Sequence, residues 1–333
     1  MNSFFVLGYQ GVHIFFVLSG FSLTYSRLLK PEEKWFTFIQ KKFFRIYPTY
    51  WVLLLFSLLV PWLRQELFFG YFDWSSLWRS FLLLDKAIPY SWFMFPLVQF
   101  YLLFFILFKI FQKLSIKSFL IYSFIIKFLY TLIILILSYN FTPFLLGNNA
   151  YPGYIAISRL FEFSLGMVMA KVYLNNPNQL ISYLSKPSTI ILAIICEIIG
   201  ILGTFKFTNE IMFLGINLPL GVSLYDAFIG FGIFVIIFNL SRLIIYLSSY
   251  IEELFIFMSK ISYELYLTQF ISLFAVSELF TIIIPGESSL TMSLRGILLF
   301  LLVMEISVAS ALLLQKSTKM IVKSIQFNSK QTL

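Results

Sequence analysis

One cysteine, one histidine and few charges of either sign define this sequence by what it lacks. A lone Cys196 excludes an intrachain disulfide framework and any multi-cysteine metal site, and it sits in an apolar run where it reads as a small packing residue. A single His13 makes a histidine-based metal centre equally implausible, so no metal is expected. Charged residues make up 12% of the chain, against about 25% in a soluble globular domain. What fills the space is 60% hydrophobic residues, 20% aromatics and a mean hydropathy of +0.90. A chain of 333 residues cannot enclose that much apolar surface in one water-soluble core. Lipid has to be the solvent.

A spanning helix needs about 20 mostly apolar residues. Such runs lie near 8–28, 48–64, 93–112, 118–138, 153–174, 188–205, 217–238, 261–284 and 293–315. The expected fold is therefore all-α: a polytopic helical bundle of about nine spans. Lipid admits only helices or closed barrels, and these runs are too long for barrel strands. The short connections show neither a linker nor a low-complexity tract. One membrane domain over 1–333 is expected, with about 316–333 as a tail.

The formal charge of +9 would suit nucleic acid in a soluble protein. Here its distribution describes topology instead. Alternate loops carry Arg27, Lys30, Lys34, Lys41, Lys42 and Arg45, then Lys109, Lys113 and Lys117, then Lys171 and Lys186, then Arg242 and Lys260, then Lys316, Lys319, Lys323 and Lys330. The other side holds only Arg64, Arg79, Lys86, Lys206 and Arg295. Basic loops stay in the cytoplasm, which puts the C-terminus inside and, with an odd number of spans, the N-terminus outside. A multi-pass protein of the cell membrane, with no nucleic-acid partner, is the expectation. The opening MNSFFVLGYQ lacks a basic leader and runs straight into a membrane segment.

Ionisable or polar groups in apolar runs are candidates for function. His13 lies at the outer end of the first span, which also carries Ser19 and Gly20. An imidazole could act as general base towards an acceptor hydroxyl, although an interfacial histidine that merely bonds a neighbour is the favoured reading of the residue by itself. Between Lys34 and Tyr47, Phe36, Ile39, Phe43 and Ile46 recur at helical spacing while Lys34, Lys41, Lys42 and Arg45 point elsewhere. That is a basic amphipathic helix at the membrane surface. Its cations suit a polyphosphate, and anionic lipid or simple topological anchoring competes with that reading. Arg159 and Glu162 are three apart and can pair within one helix, followed by a small-residue face at Gly166 and Ala170. Ser262, Tyr266 and Gln269 share a helix face and could line a polar cavity or join helices, while Tyr263 could belong to an interfacial aromatic belt.

Five phrases carry a resemblance: GVHIFFVLSGF, KKFFRIYPTYW, SWFMFPLVQFYLL, RLFEFSLGM and ISYELYLTQF. In this order, and over nearly the whole chain, they are similar to motifs of membrane-bound acyltransferase family 3, the O-acetyltransferases of cell-surface sugars, antibiotics and lipids. The resemblance implies a ten-helix bundle and transfer of an acyl group, commonly acetyl, from acyl-CoA to an acceptor hydroxyl on a carbohydrate or similar glycan. Acetyl-CoA would be a donor substrate rather than a resident cofactor. Lys41, Lys42 and Arg45 match the basic motif thought to hold the coenzyme. Gly11, Phe15, Phe16, Ser19, Gly20 and Phe21 match the helix that packs at the site.

The sequence departs from the family's pattern in two ways. Members usually begin with a further helix bearing an arginine and a catalytic histidine, just before the phrase that opens this chain. Either Met1 is an internal start, or the chain is a truncated, impaired relative. The late motif commonly ends in histidine, whereas this chain has Gln269, and His13 stands where members often carry Asp. A polytopic flippase for a lipid-linked sugar would share the spans and the buried charges, but the internal repeats it would favour are not evident.

Overall fold

The computed structural model describes residues 3–59, 81–82, 93–140, 155–207, 211–213, 216–218, 225–247, 249–283 and 289–331. The elements among them are α1 (Ser3–Leu29), α2 (Trp35–Leu59), α3 (Met94–Lys113), α4 (Ile116–Asn140), a 3-10 turn (Ala156–Arg159), α5 (Leu160–Asn175), α6 (Pro177–Leu184), α7 (Pro187–Phe207), α8 (Asp226–Leu247), α9 (Ser249–Ile283) and α10 (Ser289–Gln331). Between α7 and α8 a short antiparallel hairpin pairs β1 (Ile211–Phe213) with β2 (Ile216–Leu218), Met212 facing Asn217. All else in this set is helical, as an apolar chain requires when each backbone N–H and C=O must find a partner without water.

Five of the described helices are long and apolar enough to cross a bilayer, and six if α6 and α7, bent by 60° at their junction, count as one span. Their outward faces are greasy. Ile121, Ile125, Ile126, Leu129 and Ile133 are exposed along α4, and Leu298, Phe300, Leu301 and Leu313 along α10. This is a multi-pass membrane protein.

The spans expected at 8–28, 93–112 and 118–138 fall on α1, α3 and α4. Other boundaries differ for physical reasons. The basic amphipathic segment does not end at Tyr47; α2 runs through buried Pro48 to Leu59 as one helix. The span expected at 217–238 begins instead at Asp226, and its first part is taken by β2. Pro219 and Gly221 in that stretch punctuate helix in the sequence itself. In place of a helix across 153–174, a 3-10 turn leads into a 16-residue α5, about 24 Å long and short of a full bilayer. The tail expected from 316 is helical as far as Gln331. Residues 60–64, 153–154, 219–224 and 284 of the expected spans, and the loop cations Arg64, Arg79 and Lys86, lie outside the described residues.

Two compact units emerge: Met1–Trp35 with Trp92–Leu247, and Phe36–Ser91 with Ser248–Leu333. In the first, α1 and α5 pack most intimately. Gly20 and Gly166 explain how. A Cβ built on Gly20 would strike the Phe163 carbonyl, and one on Gly166 would strike the Val17 carbonyl. The two backbones touch where both helices lack a side chain, as small-residue membrane crossings do. Phe163 then stacks on Phe100 of α3 with centroids 4.1 Å apart. Ser123 of α4 donates to Ser164 at 2.8 Å.

In the same unit α7 lies along α8, where a Cβ on Gly232 would come 2.7 Å from the Ala193 carbonyl. The 60° corner between α6 and α7 is held from the side. Asn239 of α8 donates to the Leu184 carbonyl at 3.0 Å, and Arg242 donates to Ser185 Oγ at 2.8 Å.

In the second unit, Thr268 Oγ1 donates to the Ser307 carbonyl at 3.2 Å and Gln315 Nε2 to the Lys260 carbonyl at 2.9 Å. A later residue of α9 thus meets an earlier one of α10, so the two helices run antiparallel. Tyr263 is buried in this unit, and its hydroxyl donates to the Ile46 carbonyl of α2 at 3.0 Å. That assigns Tyr263 to helix joining.

Candidate functional site

The first unit gathers five ionisable side chains from four helices and one turn. His13 comes from α1, Lys127 from the middle of α4, Arg159 from the end of the 3-10 turn, Glu162 from the first turn of α5 and Asp226 from the first residue of α8. All are buried, with His13, Arg159 and Glu162 at 0% exposure. Local sequence sets the turn that aims Arg159. Gln99 Oε1 on α3 accepts the Ala156 N–H at 2.8 Å, and Ser158 Oγ donates back to the Ile155 carbonyl at 2.8 Å.

The cluster is two ion pairs joined by an imidazole. Lys127 Nζ donates to both oxygens of Glu162, at 2.9 and 3.0 Å. Arg159 Nη1 donates to Asp226 Oδ2 at 2.5 Å, and lies 3.6 Å from Glu162 Oε1. Between the pairs stands His13: Nδ1 is 3.2 Å from Arg159 Nη1 and 3.4 Å from Glu162 Oε1, and Nε2 is 3.3 Å from Asp226 Oδ1. A guanidinium only donates, so the contact with Arg159 needs a bare Nδ1 and a proton on Nε2 facing Asp226. Protonating the ring redirects Nδ1–H to Glu162. With the ring neutral, two cations balance two carboxylates, which is the condition for burying such groups.

His13, Glu162 and Asp226 also offer metal-ligand atoms within 4.8 Å of one another. The carboxylate oxygens are engaged by Lys127 and Arg159, whose charges repel a cation from the same place. The arrangement suits a charge-balanced clamp better than a metal centre.

Of the residues singled out in the sequence, His13, Arg159 and Glu162 are brought together here. The i, i+3 pair is present, but the shorter bonds of each partner run to Asp226 and Lys127. Those two were missed as site residues, and both carry a readable signal as ionisable groups inside apolar runs. Ser19 is half-buried on α1, beside the Gly20 crossing.

The other candidates lie in the second unit. Lys41 and Arg45 are exposed one turn apart on α2, and half-buried Lys42 holds its ammonium 5.5 Å from the Phe38 ring centroid. Arg45 is within electrostatic reach of Glu264 on α9. Ser262 is exposed and bonds its own helix at the Ser259 carbonyl, 3.0 Å away, while Tyr266 and Gln269 are half-buried. The hydroxyls of this stretch that bond across helices are those of Tyr263 and Thr268.

Compared with known proteins, residues 1–315 match the family described as acyltransferase domain. No curated protein and no solved structure matches the chain.

Proposed function

The chain belongs to the acyltransferase 3 family and is a membrane acyltransferase, and from that premise we propose that it moves an acetyl group from acetyl-CoA to a hydroxyl of a cell-surface carbohydrate. The protein is read as lying in the cell membrane with its C-terminus cytoplasmic, and the skew of Lys and Arg between alternate loops supports this.

The observation that carries the donor reading is the exposed cationic turn of α2. Lys41 and Arg45 share one exposed face that a soluble polyanion can reach, and a guanidinium grips phosphate through two parallel bonds. In the reaction a base takes the proton of the acceptor hydroxyl, and the oxygen attacks the thioester carbonyl. The C–S bond then breaks, and the coenzyme leaves as a thiol once it regains a proton. Lipid-embedded walls keep water from taking the acyl group first.

His13 is the one imidazole available as that base, yet it is enclosed by two carboxylates and a guanidinium. The enclosure supports a positioning role for His13, with Lys127, Arg159, Glu162 and Asp226, in holding α1, α4, α5 and α8 in register around the acceptor path.

Membranes containing the protein, given radiolabelled acetyl-CoA, should label cell-surface polysaccharide in excess of membranes from a deletion strain. Arg45→Ala should raise the KM for acetyl-CoA by about tenfold or more, the worth of one charge-assisted bond, with membrane insertion intact. Undiminished transfer at low donor concentration would remove the α2 cations from the donor site.

A further inference from the structure

At one end of the second unit three helices bring charged groups to a single corner. Glu264 of α9 lies within electrostatic reach of both Arg45 of α2 and Lys319 of α10, and Gln315 of α10 bonds it through its side chain. Lys319 is held in turn: its Nζ donates to Gln315 Oε1 at 2.9 Å, and Gln315 Nε2 donates to the Lys260 carbonyl. Lys316, one turn back on the same face of α10, lines with Lys319, Gln315, Leu312 and Met320 an open concavity of about 480 Å³. One wall is therefore apolar and the other carries two ammonium groups. With Arg45 counted, three cations stand against one carboxylate. That excess of positive charge matches a phosphate monoester dianion, and the apolar wall suits a ligand whose phosphate is joined to a base or an acyl chain.

We infer that this corner is a phosphate-binding site, with Lys316 and Lys319 of α10 gripping the phosphate and Arg45 completing it from α2. Topological anchoring explains the presence of lysines near a helix end. It does not explain why one of them is tied by a relay of hydrogen bonds beside a carboxylate shared with Arg45. Two sources carry the required chemistry: the 3′-phosphorylated nucleotide end of a soluble coenzyme, and the headgroup of an anionic phospholipid. The first rests on the donor reading above; the second does not.

The experiment uses the purified full chain in detergent. Adenosine 3′,5′-bisphosphate is titrated by calorimetry, and phosphatidic acid by native mass spectrometry, on the native protein, Arg45→Ala and three double variants. Lys316→Ala/Lys319→Ala removes the site. Lys316→Arg/Lys319→Arg keeps its charge, and Lys113→Ala/Lys117→Ala removes the same charge from exposed positions at the junction of α3 and α4. Nucleotide binding that falls at least tenfold in the first variant alone supports the inference with the coenzyme as source. Lipid binding lost in the first variant alone, with no nucleotide bound by the native protein, supports the site with lipid as source and sinks the donor reading. If the first variant binds both probes like the native protein, or loses no more than the Lys113/Lys117 variant, the inference is overturned. It is likewise overturned if the native protein binds neither probe. Nucleotide binding lost in Arg45→Ala but intact in Lys316→Ala/Lys319→Ala overturns it and leaves the donor reading standing.

Discussion

Replacing Lys127 by methionine keeps the length and most of the apolar stem of the side chain and deletes one buried charge. In the native cluster the ammonium lies 2.9 Å from Glu162, and two cations offset two carboxylates. At an effective dielectric of about 20 that attraction is about 6 kcal/mol, and part of it offsets the expense of stripping Lys127 of water. The net loss expected on removing one partner of a buried pair is about 3–5 kcal/mol, or roughly a hundredfold to a few thousandfold in the folding equilibrium. Glu162 would be left with Arg159 at 3.6 Å and with His13, which can take up a proton and turn Nδ1–H towards it. His13→Gln should therefore cost more in the Lys127→Met background than in the native protein, because it removes the one neighbour able to turn a proton towards Glu162 in place of the lost ammonium. Adding Glu162→Gln to Lys127→Met restores neutrality and should recover at least about 2 kcal/mol, a coupling between touching residues. Fluorescence-detected size exclusion after heating, run as a double-mutant cycle in detergent, reads all of these. Additive losses, or a double variant no better than the worse single one, would refute the balanced-clamp account.

Gly166→Ala drives a methyl into the Val17 carbonyl and should destabilise by about 1–3 kcal/mol, whereas Gly11→Ala, with open space around its Cβ, should not; the same thermal assay separates them. Buried Glu197 on α7 has no ion-pair partner among the described residues, and its polar contact is the Ile233 backbone, which an amide can also meet, so Glu197→Gln should leave the melting temperature unchanged or higher. A fall of more than about 3 °C would argue for a bond this carboxyl makes in the membrane. Tyr263→Phe deletes the bond to the Ile46 carbonyl and should cost about 1 kcal/mol in the same measurement, and no change would mean α2 is held by packing alone.

Sequence alone made the membrane helices legible because lipid imposes a length and a composition on them. Hence α1, α3 and α4 fall where long apolar runs fall. It failed where composition stays apolar and the backbone does something else, as at the β1–β2 hairpin, whose residues are as greasy as the helices beside it. Arg159 and Glu162 were visible as a pair because three residues separate them on one surface. Their stronger partners, Asp226 and Lys127, are 67 and 35 residues away, and no helical period reaches that far. A stricter use of one physical rule, that every charge inside an apolar run needs a counter-charge, would have nominated both, though not which carboxylate meets which cation.

The corner where α6 meets α7 has a mechanical consequence. Interrupted membrane helices are natural places for a protein to flex, since a carbonyl freed by the break can trade one partner for another. Here α8 grips the α6 end of the interruption, through Asn239 at Leu184 and Arg242 at Ser185, and packs along α7 beyond it. The joint is braced rather than hinged, and any breathing that admits a substrate to the first unit must carry α6, α7 and α8 as one piece.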